Sequence, residues 1–156
     1  MRVTVCAVGR LRAGPEQDLI KDYTTRFDRT GRNLGLGPLS ILEVEDKKGG
    51  GQAAEADLLR RTTPKGALLC GLDERGKVMT SPEFAKLLAK WRDTGTQDVA
   101  FIIGGADGIA PDLRGEADQL ISFGKMVWPH MLARVMLTEQ LYRATSILAG
   151  APYHRA

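Results

Sequence analysis

Few side chains in this 156-residue chain can carry proton or metal chemistry. His130 and His154 are the only histidines, and Cys6 and Cys70 lie far apart inside apolar runs, so no Cys/His cluster has zinc spacing. No His-Glu-x-x-His and no Gly-x-Ser-x-Gly occurs. Asp73-Glu74 reads as a solvent-exposed acidic pair in a turn rather than an acid/base dyad. Two stretches stand out. In Ile102-Ile103-Gly104-Gly105-Ala106-Asp107-Gly108, an apolar run ends in two glycines, whose bare backbone can hydrogen-bond a planar heterocycle or a ribose. A tight turn explains a lone glycine pair equally well. The stretch is neither G-x-G-x-x-G nor a phosphate-binding loop ending in Gly-Lys-Ser/Thr, and Gly9–Gly14 fails the latter test too, continuing Pro-Glu. The second stretch is the tail, Pro152-Tyr153-His154-Arg155. It gathers a stacking surface, a pH-tunable imidazole and a fixed cation, the set that a base in RNA requires. The competing account is a helix exit whose Tyr packs on the core while His and Arg stay solvated. A chain so poor in ionisable candidates fits a reaction driven mainly by positioning.

These residues need a scaffold. With 43% hydrophobic and 26% charged residues the composition is that of a globular protein, and the length suffices to bury about two-thirds of the unfolded surface. No apolar run reaches the roughly 20 residues of a membrane span, and the N-terminal Met1–Leu11 lacks the features of a signal peptide. Free cysteines in apolar runs suit a reducing compartment, so a cytoplasmic location without a membrane partner is expected. Net charge is only +3, yet residues 1–35 carry Arg2, Arg10, Arg12, Lys21, Arg26, Arg29 and Arg32 against four acids. Such a basic third can meet phosphate, or it can be a solvated helix face.

The pattern alternates along the chain. Residues 2–8, 39–45, 66–72 and 98–104 are apolar or β-branched runs that read as buried strands, and 125–128 reads as a short fifth. Between them lie helical segments over 15–29 (Leu19, Tyr23 and Phe27 on one face), over 53–61, from a cap at Ser81-Pro82 with Phe84, Leu87, Leu88 and Trp91 inside, and over 111–120. Residues 73–77 read as a turn. From Pro129 to Ala149 runs a helix apolar on more than one face, with Glu139 and Arg143 one turn apart. This order predicts an α/β fold with a mostly parallel sheet of five to six strands, in one domain over 1–156. Ligands of such sheets bind beyond the carboxyl ends of the strands, which singles out 72–76, 104–108 and 123–130.

Taken in order, Ile103–Gly108, Pro129-His130, Arg134–Ile147 and Pro152–Arg155 resemble the bacterial ribosomal RNA large-subunit methyltransferase H family over essentially the whole chain. The resemblance implies a SPOUT fold in which the C-terminal segment threads a loop as a trefoil knot, an exception to the usual connection rules. It further implies S-adenosylmethionine as methyl donor, leaving as S-adenosylhomocysteine, with no metal. The acceptor would be N3 of a pseudouridine in a 23S rRNA stem-loop, on the ribosome, and the enzyme a homodimer. Cofactor contacts, largely through backbone, would come from Leu72, Gly104, Gly105, Phe123, Gly124, Lys125, Met126, Val127 and Trp128. The family often has small polar residues where this chain reads Phe-Gly-Lys-Met-Val-Trp, so a hydroxyl contact at Val127 is lost and Lys125 must point away from the cationic sulfonium. His154 and Arg143 would be catalytic, favouring the deprotonated base, with Tyr153, His154 and Arg155 holding it. Two alternatives stand beside this reading: a non-enzymatic ribosome- or RNA-binding protein, and a knotted methyltransferase acting on another RNA position.

Overall fold

Five strands, β1 (Arg2–Val8), β2 (Leu39–Val44), β3 (Leu68–Val78), β4 (Asp98–Ile103) and β5 (Gln119–Ser122), make one sheet ordered β2-β1-β4-β3-β5 in the computed structural model, which describes residues 1–155. Every pairing is parallel, and the sheet has five strands. Parallel strands need crossovers that bury both faces. The helices α1 (Pro15–Gly31), α2 (Gly51–Thr62), α3 (Ser81–Asp93), α4 (Pro111–Glu116) and α5 (His130–Leu148) supply them. Alternation along each strand sorts the core into two layers. Val3, Val5 and Ala7 of β1 and Val99, Phe101 and Ile103 of β4 meet Phe27, Phe84, Leu88, Leu137 and Leu141 from α1, α3 and α5. Cys6, Ala100 and Ile102 face the other way, onto Leu59 of α2 and Leu113 of α4. α5 packs against both α1 and α3, which is why its apolar residues go nearly all round.

The structure moves several expected boundaries. The fifth strand is Gln119–Ser122, not 125–128, because α4 stops at Glu116 and frees Leu120 and Ile121 to pair with Gly71 and Leu72. Met126 and Val127 are exposed instead (76% and 88%). Nor is 73–77 a reversing turn. Leu72 and Lys77 both stand opposite Ile121, so residues 73–76 loop out of a strand that keeps its direction. Gly76 permits this, since a Cβ there would lie 2.6 Å from the Ile121 backbone nitrogen. On α1 the buried residues are Ile20 and Phe27, while Leu19 is exposed; steps of four drift about 40° around a 3.6-residue helix, off the buried stripe. The N-cap of α3 is Thr80 rather than Ser81. Its hydroxyl accepts from Glu83 N, and the Glu83 carboxylate accepts from Thr80 N.

Two predictions follow from this packing. Thr80→Ala should cost about 1 kcal/mol in urea unfolding, and Thr80→Ser should recover most of it. Burial pushes the Cys6 thiol up to about 11 and the Cys70 thiol up to about 12. Neither should react with an alkylating reagent at about pH 8 in the folded protein, and both should react in denaturant, read by mass spectrometry.

Candidate functional site

At the carboxyl ends of β3, β4 and β5 the structure opens a cleft of about 380 Å³. Its walls are the looped-out segment of β3, the Gly104–Gly108 loop after β4, the segment leaving β5 and the first turn of α5 with His130 and Ala133. Glycine at 104 is a matter of space, because its neighbours are backbone, whereas Gly105 faces the flexible end of Glu55. A Cβ on Gly104 would lie 2.4 Å from the Gly108 carbonyl carbon, and one on Gly105 would lie 2.8 Å from a Glu55 carboxylate oxygen. The loop folds tightly back, Gly108 N donating to Gly105 O at 3.0 Å, so the pair is a tight turn as well as a bare wall. Gln52 at the start of α2 braces it, donating to Asp107 O at 2.7 Å.

The segment from 123 to 129 behaves differently. Ser122 Oγ accepts from Gly124 N and donates to Gly124 O, closing a small loop at the exit of β5. Beyond it, among the described residues, the backbone amides of 125–128 find no partner in the protein. Unpaired backbone lining a cleft is backbone offered to a ligand. Leu72, Gly104, Gly105, Phe123, Gly124, Met126, Val127 and Trp128 all line the cleft. Lys125 does not, although it lies within the segment. Asp73 corrects the expectation of an exposed acidic pair. It is 9% exposed, accepts from Arg75 N at 2.8 Å and lies 3.3 and 3.9 Å from the Arg75 and Arg114 guanidinium groups; only Glu74 is exposed.

A second cluster forms where the tail folds back on α5. Glu139 Oε1 accepts from Arg143 Nε at 3.0 Å and Nη2 at 2.5 Å, and from the Tyr153 hydroxyl at 2.9 Å. The Arg143 guanidinium lies 4.8 Å over the Tyr153 ring, and its Nη1 is 3.2 Å from His154 Nδ1. Guanidinium only donates, so Nδ1 accepts and a neutral His154 carries its proton on Nε2. Partial burial, then the bond to Glu139, pushes the Tyr153 phenol above its usual range. A raised pKa favours the neutral phenol in the fold, so this anchor holds at neutral pH and weakens only at strongly alkaline pH. Tyr153 packs 4.7 Å from Tyr142, which stacks at 6.2 Å on Tyr23 of α1 with Arg26 5.8 Å over its ring. Tyr23 and Arg26 were not legible as part of this group, since spacing placed Tyr23 in the core stripe. Both earlier accounts of the tail contain truth: Tyr153 does pack inward, but it brings His154 and Arg143 into a defined array. Arg155 remains exposed.

The two clusters are not together in one chain. Arg143 follows Ala133 by ten residues, or about 15 Å along the axis of α5. Tyr153, His154, Arg155 and Arg143 do not line the cleft.

One functional residue had only a faint sequence signal, an arginine inside the apolar run Leu132-Ala133-Arg134-Val135. Arg134 is 1% exposed. It donates to Glu43 Oε2 at 2.6 Å, Val8 O at 3.1 Å and Gly9 O at 3.0 Å, while its Nε has no partner among the described residues. Glu43 Oε2 also accepts from Leu11 N. The first turn of α5, which ends the cleft segment, is thereby tied to the ends of β1 and β2. Among the described residues no group of His, Cys, Asp and Glu could hold a metal ion, and no helix is long and apolar enough to cross a membrane.

Comparison with known proteins places this geometry. A family model described as "Predicted SPOUT methyltransferase" matches residues 1–154. Proteins of Dinoroseobacter shibae and Ruegeria pomeroyi, each named "Ribosomal RNA large subunit methyltransferase H", are 70% identical over 155 residues, covering 99% of this chain and 99% of theirs. A solved structure, a probable methylase family protein from Haemophilus influenzae, superposes with a TM-score of 0.51 at 11% identity, over 99% of this chain and 70% of that one. That last likeness concerns the fold.

Replacing Arg134 with Met removes the guanidinium from two strand-end carbonyls and leaves the Glu43 carboxylate with only Leu11 N as donor. It should lower stability by about 3 kcal/mol, read as a shifted urea midpoint. An unchanged midpoint would show that water replaces the guanidinium at no cost.

Proposed function

We propose that this chain, which belongs to the SPOUT methyltransferase family, methylates N3 of a pseudouridine in 23S ribosomal RNA with S-adenosylmethionine as donor. The observation that carries this reading is the cleft itself, in which a strand end stripped of side chains faces a segment with unpaired backbone. Those groups suit an adenosine, whose edges need backbone donors and acceptors and whose plane needs a wall without Cβ atoms. Full-length identity to proteins named for large-subunit rRNA methylation supplies the acceptor class.

When bound, S-adenosylmethionine supplies a methyl carbon already activated by its sulfonium, and S-adenosylhomocysteine leaves as a neutral thioether. Leu72, Gly104, Gly105, Phe123 and Gly124 with Met126–Trp128 hold the donor, and Lys125 stays outside. The acceptor nitrogen is an imide, whose N–H proton passes to solvent water so that the nitrogen lone pair left behind can bond the methyl carbon. Its negative charge spreads onto the flanking carbonyl oxygens. Arg143 and Arg155 supply positive charge there, and His154 offers the Nε2 proton as a donor while Arg143 occupies Nδ1. On this reading His154 stabilises the anionic base rather than taking its proton, and Tyr153, locked by Glu139, holds the ring array in place.

Because tail and cleft are about 15 Å apart along α5, each working site takes its cleft from one chain and its tail from a second. A homodimer follows from that division. The exposed Met126, Val127, Trp128, Met131 and Leu132 beside the cleft give an apolar surface for a second copy to cover. The trefoil threading of the C-terminal segment, a single domain over 1–156 and a cytoplasmic location on the ribosome belong to the same reading.

Labelled methyl transfer to ribosomes lacking large-subunit modification, with nucleoside analysis, should give 3-methylpseudouridine. Label in another nucleoside would move the acceptor, and absence of both transfer and donor binding would leave an RNA-binding protein. For the shared site, Ala106→Trp should fill the cleft and His154→Ala should empty the tail. Each variant alone should be nearly inactive. Mixed at equal amounts, they should recover about a quarter of wild-type activity, through heterodimers with one intact site. No recovery would mean that each chain works with its own tail.

A further inference from the structure

The seven basic residues of the first 35 positions do not share a surface. α1 runs against the strands, so Arg29 and Arg32 emerge where the strands begin, at the end where Arg2 is paired to Asp98 at 2.7 Å. Lys21 and Arg26 lie along the helix, Arg26 paired to Asp22 at 3.0 Å. Only Arg10 and Arg12 stand in the loop leaving β1, at the end of the sheet where the cleft opens. β2 is the neighbour of β1, and the loop leaving it brings Lys47 and Lys48 to the same edge.

Both loops border the cleft. Gly9 lies against the His130 ring, a Cβ there being 3.6 Å from His130 Nε2. Gln52, four residues beyond Lys48, bonds the Gly104–Gly108 loop through Asp107 O. The acids of these loops are already engaged. Glu43 serves Arg134, and Glu45 pairs with Arg10 at 3.3 Å. Asp46 accepts from Lys48 N and Gly50 N, which shapes the turn that presents the lysines. Arg12, Lys47 and Lys48 are exposed and, among the described residues, have no acidic partner. Gly49, Gly50 and Gly51 follow them, leaving this part of the edge free of side chains.

We infer that Arg10, Arg12, Lys47 and Lys48 form a phosphate-binding rim that holds ribosomal RNA across the mouth of the cleft. The inference rests on the methyltransferase reading above and adds where the RNA backbone lies. The rim of one chain grips phosphates beside the donor while the tail of the other chain receives the base. It carries affinity without base identity, because phosphate contacts position a nucleic acid and base contacts specify it.

The test compares two triple charge reversals of equal size, Arg12→Glu/Lys47→Glu/Lys48→Glu at the rim and Lys21→Glu/Arg29→Glu/Arg32→Glu elsewhere. Binding to unmodified ribosomes is measured against salt, with donor affinity and transfer kinetics alongside. The rim variant should raise the ribosome KM at least about tenfold, reduce the slope of log affinity against log salt by about two, and leave donor affinity and kcat within about twofold. The other variant should change the ribosome KM by no more than about twofold. Equal losses from both variants would reduce the effect to overall charge and overturn the rim, as would an unaffected rim variant. Loss of donor affinity would reassign these residues to the cofactor cleft and overturn it as well. The two readings fail separately. A wild-type chain that binds ribosomes through the rim but transfers no methyl would sink the methylation and leave the rim standing.

Discussion

The buried guanidinium of Arg134 holds the working end of this protein together. A charge removed from water is tolerable only with dense compensation, and here it comes from the Glu43 carboxylate and from two carbonyls at the exit of β1. Those partners lie on two adjacent strands, and the arginine lies on the last helix. One side chain therefore fixes the angle at which α5 meets the sheet. Through Glu43 and Leu11 N it also fixes the loop leaving β1. Among the described residues, the backbone amides of 125–128 have no partner in the fold, so this segment depends on its two ends. Ser122 and Gly124 secure one end, and the first turn of α5 secures the other.

The chemistry is split along α5. At its start lies a cleft with a glycine wall and a segment of unpaired backbone; at its far end lies an array of charged and aromatic side chains clamped by Glu139. A rigid helix cannot bring its two ends together. The fold thus separates a surface with bare backbone for a planar group from one suited to stabilising an anion, and on the proposed reading two copies join them. The same separation keeps the cations of the tail away from a cationic donor within the chain.

Much of the scaffold was legible because apolar periodicity reports burial. β1, β4, α3 and α5 lie close to where alternation and helical spacing put them. The errors share a cause. Residues 125–128 looked like a strand because apolar residues in a row signal burial, yet here they stay outside, since Gln119–Ser122 takes the edge of the sheet. Residues 73–77 looked like a turn because Asp, Glu and Gly favour one, and only the pairing of Ile121 with both Leu72 and Lys77 reveals a strand that continues past the interruption. The tail was legible by residue type, and Glu139–Arg143 by its spacing of four. Their joint capture of Tyr153 and His154 was not, because it depends on how the chain turns after Gly150.

The sequence by itself determined the α/β class, the order of elements and the candidate chemistry, because composition, period and residue type act locally and need no partner. It also marked the glycine pair and the basic first third as unusual. Tertiary structure alone decided which of those basic residues share an edge with the cleft, which glycines have no room for a side chain, and that an arginine in an apolar helix anchors two strands. Those outcomes depend on contacts between positions far apart in the chain: 91 residues separate Glu43 from Arg134, and 55 separate Gln52 from Asp107. Such distances in space are set by packing, which no local pattern specifies.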